Sequence, residues 1–135
     1  MKVAVYVNYS GTCAEAFRFY ALHLGGKVTM MVRHDEQTHP VRLPVAWDHA
    51  VLHARVEIGG TVLMGADIPG AEPMRSAYVT LVADSAVQAE QLYALLSLGG
   101  QVFMKMDETR FASRFAMVRD RFGTSWMILH ERKAG

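Results

Sequence analysis

The chain repeats itself, and that repeat constrains its fold more than any other feature. Tyr20-Ala21-Leu22 recurs as Tyr93-Ala94-Leu95, and Gly25-Gly26-Lys27-Val28 recurs as Gly99-Gly100-Gln101-Val102. Gly60-Thr61 with Met64 recurs as Gly123-Thr124 with Met127. Three matches in the same order point to a tandem duplication. Two copies are too few, and the period too long, for a solenoid. At 135 residues the chain fits a single domain of two modules, about 1–67 and 77–131, joined by a connector at 68–76.

Each copy reads as βαβββ. Val3 to Val7 is rich in β-branched residues, as strands are. Ser10-Gly11 breaks the run, and Thr12 with Glu15 has the spacing of a capping box. Ala16, Phe17, Tyr20, Ala21 and Leu24 follow at helical spacing until Gly25-Gly26. Val28 to Val32 is a second strand. Residues 34–50, with Pro40, Pro44 and Trp47, read as a long loop that could serve as a lid or an interface. Leu52 to Ile58 and Thr61 to Met64 form a hairpin across Gly59-Gly60. In the second copy Tyr78 to Val82 is a strand. Ser85 and Gln88 then open a helix carrying Ala89, Leu92, Tyr93 and Leu96. Val102 to Met106, Arg114 to Arg119 and Ser125 to His130 are strands, the last two joined by Asp120 to Gly123.

Composition narrows the class. Hydrophobic residues make up 51% of the chain, enough for a real core, and the net charge of +1 with scattered Lys and Arg points to neither nucleic acid nor an acidic membrane surface. Cys13 is the single cysteine, so no disulfide forms within the chain, which suits a reducing compartment. The apolar stretch at the N-terminus is too short for a signal-peptide core or a membrane span. A cytoplasmic protein is the default expectation.

Gly11-Thr12-Cys13-Ala14-Glu15-Ala16 before Phe19-Tyr20, the segment from His53 to Gly60, and the segment from Arg114 to Met127 resemble the PhnB-like group of the vicinal oxygen chelate (glyoxalase, bleomycin-resistance and dioxygenase) superfamily. The resemblance covers nearly the whole chain. It implies an α+β fold in which two tandem βαβββ modules form a mixed, partly open β-sheet around a central cavity, with helices on the outer face. It also implies a homodimer. It does not fix an activity, because the superfamily hosts isomerases, thiol transferases, dioxygenases and binding proteins. Some relatives carry a name implying a ubiquinone methyltransferase. This chain has neither the glycine-rich strand-to-helix turn nor the length that such an enzyme needs.

Metal-using members place His and Glu on the first and last strand of each module. By the resemblance those positions fall on Val5, Met64, Tyr78 and Met127. Hard and borderline divalent ions want imidazole, carboxylate or thiolate, so no metal and no other cofactor is expected there. His49 and His53 are four apart, a spacing with metal-binding meaning only on a helix, and His53 falls in an alternating strand.

The hairpin across Gly59-Gly60 sets Glu57 opposite Val62, Arg55 opposite Met64 and His53 opposite Ala66. Met64 faces the cavity by the resemblance, so His53, Arg55 and Glu57 are expected there too. In the second module a turn at Asp120 to Gly123 sets Ala116 opposite Met127 and Arg114 opposite Leu129. The expected concave wall is apolar, with Val3, Val5, Val7, Val62, Met64, Val82, Val118, Met127 and Leu129. His53, Arg55, Glu57, Tyr78, Thr80 and Arg114 stand among them. Such a wall suits a small-molecule ligand, and two arginines could hold a carboxylate or phosphonate. Plainer readings stand beside these. Arg55 and Glu57 could be a surface ion pair, Arg114 could pack on a partner chain, and His53 could satisfy backbone groups. The methionines could be core filling, and Cys13 a small buried residue.

The leading expectation is a metal-free small-molecule-binding protein. One alternative is an enzyme using Tyr78, His53 or Glu57 as acid or base on a small carbonyl or organophosphonate compound. The other is a divalent-metal enzyme whose ligands lie elsewhere.

Overall fold

The computed structural model describes residues 1–36, 47 and 49–132. The order of elements is the expected one, doubled. The first module contains β1 (Val5–Tyr9), α1 (Cys13–His23), β2 (Lys27–Arg33), β3 (Val51–Ile58) and β4 (Thr61–Asp67). The second contains β5 (Val79–Val82), α2 (Ala86–Ser97), β6 (Gln101–Asp107), β7 (Ala112–Arg119) and β8 (Ser125–Glu131). The chain divides into two compact units, Met1–Glu72 and Pro73–Gly135, within the expected connector. Most of the expected loop at 34–50 lies outside the described residues. Its described start is a short 3-10 turn at His34–Glu36.

Each module is a four-stranded mixed sheet, in the order β1-β4-β3-β2 and β5-β8-β7-β6. The outer pairs β1/β4 and β5/β8 are parallel and the rest antiparallel. A parallel pair needs a crossover, and in each module the helix belongs to it. α1 packs over β3 and β2, and α2 over β7 and β8. Phe17 and Tyr20 of α1 are buried together with Val7, Tyr9, Val56 and Leu63 of the sheet. Tyr9 meets Phe17 edge to face at 5.8 Å. Beneath α2 lie Ala116, Val118, Trp126 and Ile128, each fully buried.

The repeated glycine pairs have a packing reason. A Cβ on Gly26 would stand 2.5 Å from the Glu57 carbonyl oxygen, and one on Gly100 2.1 Å from that of Arg119. Each helix therefore leaves against the backbone of the third strand of its own module, where only glycine fits.

The helix starts differ from expectation in one respect. Ser85 caps α2 as its spacing predicts, its Oγ accepting from the Gln88 N–H at 3.0 Å. Thr12 makes no side-chain cap on α1. The buried Asp67 carboxylate does that work from the end of β4. Its Oδ1 accepts from the Gly11 and Cys13 N–H groups at 3.0 and 2.9 Å, and its Oδ2 from the Val51 N–H at 2.9 Å. One carboxylate thus ties the first turn of α1 to the start of β3 and the end of β4. Local spacing favoured Thr12; a tertiary contact won.

Candidate functional site

In the first module the third and fourth strands pair as expected. Arg55 stands opposite Met64 and Glu57 opposite Val62, around a Gly59-Gly60 turn with φ of 54° and 81°. Positive φ at both central residues is what a tight two-residue hairpin requires. On the other side of β3, Met30 of β2 stands opposite Arg55 and Val32 opposite His53. Since residues two apart on a strand share a face, His53, Arg55, Glu57, Val62 and Met64 lie on the face away from α1.

The first strand departs from expectation by one residue. Val5 pairs with Leu63 and Val7 with Gly65, on the α1 side, so Val5 is not on the site face and neither is Val7. Tyr6 pairs with Met64 and Asn8 with Ala66 instead. The row across the sheet is therefore Tyr6, Met64, Arg55, Met30. Strand alternation makes any slip a change of face, and a strand joined through a helix has no turn to fix its register.

Tyr6 supplies what the expectation lacked. Its ring stacks on that of His53, centroids 5.6 Å apart and planes 22° apart, and its hydroxyl lies 3.2 Å from His53 Nδ1. Tyr6 is 47% exposed. Its phenol pKa is raised by the part of the ring that is buried and, secondarily, by Cys13. It therefore stays a neutral donor throughout the physiological range. The β-branched run that marked β1 was sound; what hid Tyr6 was its register.

Arg55 is half-buried, and its Nε is shielded from solvent with no hydrogen-bond partner among the described residues. The surface ion pair with Glu57 is not formed; the ion pairs of the described residues join other groups. Glu57 lies opposite Lys27 of β2. A buried donor left unmet is uncommon in a folded protein and calls for an explanation.

In the second module the hairpin register is also shifted by one. Met117, not Ala116, stands opposite Met127, and Arg114 stands opposite His130, not Leu129. The pair closing the loop is Arg119 with Ser125, so the loop holds Asp120 to Thr124, one residue more than expected. The Asp120 carboxylate organises it, accepting from the Phe122 and Thr124 N–H groups and from Trp126 Nε1 at 2.8 Å. Every β7 side chain consequently changes face. Arg114 lies on the helix side, its Nε donating to Glu90 of α2 at 3.1 Å. It is not a residue of the site face. Ala116 and Val118 are core, while Phe115 and Met117 move to the other face with Met127 and Leu129. Thr80 pairs with Met127 and Val82 with Leu129, so both take that face, as expected. Tyr78 precedes β5, half-buried.

Facing away from the helices, the cross-strand pairs that include Met64 and Met127 are thus Tyr6 with Met64 and Thr80 with Met127. A phenol, two thioethers and a hydroxyl do not fit a hard or borderline divalent ion. Among the described residues no group of three or more His, Cys, Asp and Glu is arranged to hold one. His49 and His53 have different partners: His49 Nδ1 lies 2.9 Å from Asp35, and His53 bonds Tyr6. Cys13 is fully buried, and its thiol pKa is pushed far up by burial and then by Asp67, against a smaller opposing effect of Arg33. It is no nucleophile.

Paired βαβββ modules, each curled beneath one helix, define a class of α+β proteins built by duplication. The chain belongs to the Glyoxalase/Bleomycin resistance protein/Dioxygenase superfamily, whose family model matches residues 2–128. It is 30% identical to protein YjdN of Escherichia coli strain K12 over 95% of this chain and 94% of that one. Its fold superposes on that of protein PA1353 from Pseudomonas aeruginosa with a TM-score of 0.87, at 33% identity over 98% of this chain and 99% of that chain. A PhnB protein from Bacillus cereus shares the fold at a TM-score of 0.74 and 22% identity, over 96% and 99% of the two chains. Among the described residues no helix is long and apolar enough to cross a membrane.

Proposed function

We propose that this chain binds a small organic anion, without a resident metal, on the face of the first sheet turned away from α1. The observation that carries the reading is Arg55: a guanidinium flanked by Met30 and Met64, with a shielded Nε that has no acceptor among the described residues. Turning that side chain onto an anion relieves an unmet donor instead of breaking a bond. The wall around it is apolar and adaptable, as small-ligand sites are. The donor set of the outer strands supports the metal-free part of the reading. Elemental analysis after chelator-free purification, followed by calorimetric titration with small anions, tests both parts. Substoichiometric metal and saturable anion binding that Arg55→Met abolishes are expected. Stoichiometric metal overturns the metal-free part, and anion binding indifferent to Arg55→Met overturns the site.

A second reading rests on the Tyr6–His53 hydrogen bond. A phenol and an imidazole in contact can move a proton, so the chain could be an enzyme acting on a small carbonyl compound. Turnover lost in both Tyr6→Phe and His53→Ala would favour it over binding alone.

The same proposal takes the chain as a cytoplasmic homodimer. A lone, buried thiol suits a reducing compartment. Val102, Phe103 and Met104 on edge strand β6 are all exposed, which favours a covering partner. Sedimentation equilibrium tests the dimer.

A further inference from the structure

The residues around Arg55 select among anions. We infer that the ligand is a monoanionic aromatic carboxylate, its carboxylate on Arg55 and its ring between the thioethers of Met30 and Met64, beside the Tyr6–His53 stack. This deepens, and rests on, the anion-binding reading above.

Charge is the first argument. Arg55 is the cation of its row, whose other members are Tyr6, Met64 and Met30. Along β3 the next residue on this face is Glu57, and Lys27 stands opposite it. A glutamate and a lysine offset each other, which leaves Arg55 as the unmatched charge among the described residues of these two rows. A carboxylate matches that charge. A phosphate or phosphonate dianion brings a second negative charge towards Glu57, and among the described residues no second guanidinium stands in the row of Arg55 to meet it.

Shape is the second argument. Carboxylate and guanidinium meet as two flat groups in one plane, so a flat body attached to the carboxylate continues in that plane. The strands on either side of Arg55 put Met64 opposite it on one flank and Met30 on the other. Thioether sulfur makes favourable contacts with aromatic rings. At the β1 end the stacked rings of Tyr6 and His53 add an aromatic surface and a neutral hydroxyl donor. Tetrahedral groups use none of these features.

The experiment is calorimetric titration of the full chain with benzoate, acetate, phenylphosphonate and inorganic phosphate. Benzoate is expected to bind at least about tenfold more tightly than each of the others, with Arg55→Met weakening it about 100-fold. Tyr6→Ala should weaken benzoate while leaving acetate unchanged. Methyl NMR of the methionines gives a readout that needs no variant: ring-current shifts at Met30 and Met64 with benzoate and none with acetate. Phenylphosphonate binding as tightly as benzoate overturns the carboxylate assignment and leaves the anion site standing. Benzoate no tighter than acetate, or no ring-current shift at either methyl, overturns the aromatic assignment alone. If no anion binds, both this inference and the reading beneath it fall.

Discussion

Arg55 and Met117 hold the same place in the two repeated sheets. Arg55 has Met64 on one flank and Met30 on the other; Met117 has Met127 and Met104. The duplicated frame carries a methionine at that place in its second copy. A methionine fits it, and the arginine is the departure.

Arg55→Met should accordingly stabilise the ligand-free protein by about 1 kcal/mol, because it removes a shielded donor that has no acceptor among the described residues. Thermal melts without ligand check this. A lower Tm would mean that the guanidinium has structural partners and is no reserve for a ligand.

Tyr6 should ionise above the ordinary phenol value of 10.0. Partial burial of its ring raises its pKa, with Cys13 adding to the effect. Tyrosinate absorbance followed through an alkaline titration should lose a step above pH 10.0 in Tyr6→Phe. If the loss is instead in an early step, the phenol is solvated and the contact with His53 is incidental.

Cys13 makes stability fall at alkaline pH. In the unfolded chain the thiol ionises near its ordinary value of 9.0, while in the fold burial holds it protonated well beyond that. The folded state then binds more protons, so stability is intact below about pH 9 and declines above it, by at most about 1.4 kcal/mol per pH unit. Denaturant midpoints measured from pH 8 to 11 should show a shallower decline in Cys13→Ala than in the wild type. Parallel declines would refute the thiol's part.

Asp67 and Thr12 make a contrasting pair. Asp67→Ala strands the N–H groups of Gly11, Cys13 and Val51, the last two buried, and should cost at least about 3 kcal/mol. Thr12→Ala should change stability by less than about 0.5 kcal/mol, since its side chain caps nothing. Urea unfolding of the two variants separates these values; equal effects would return the cap to Thr12.

Gly100→Ala should be more damaging than a surface substitution, by about 2–3 kcal/mol, because its Cβ would press on the Arg119 carbonyl oxygen. Gly59→Ala is the control, open in space but strained by its φ of 54°, and about 1 kcal/mol is expected from the backbone alone. Comparison of their denaturant midpoints tests the order.

The repeat made the fold legible before any coordinates. The register of β3 and β4 was equally plain, because Gly59-Gly60 admits one tight turn and the alternation from His53 to Met64 follows from it. The rest failed where local signals stop. β1 reaches its partner through a helix and a hairpin, so nothing near Val5 or Tyr6 says which of the two lies opposite Met64. Arg114 was misplaced because the loop after Arg119 is shaped by the Asp120 side chain, which extends it through Thr124. Asp67 as the cap of α1 was invisible for the same reason: its partners lie more than fifty residues away, at Gly11 and Cys13.

The length of the Asp120–Thr124 loop bears on how the two halves diverged. Insertion or loss of one codon there exchanges the two faces of β7 in a single event. Arg114 would trade places with a neighbour, and the core set of Ala116 and Val118 would turn outward. Point substitutions change one wall position at a time, whereas this loop can replace a whole row at once. Its anchor, the bond from Trp126 to Asp120, sets the frame in which selection reads the strand.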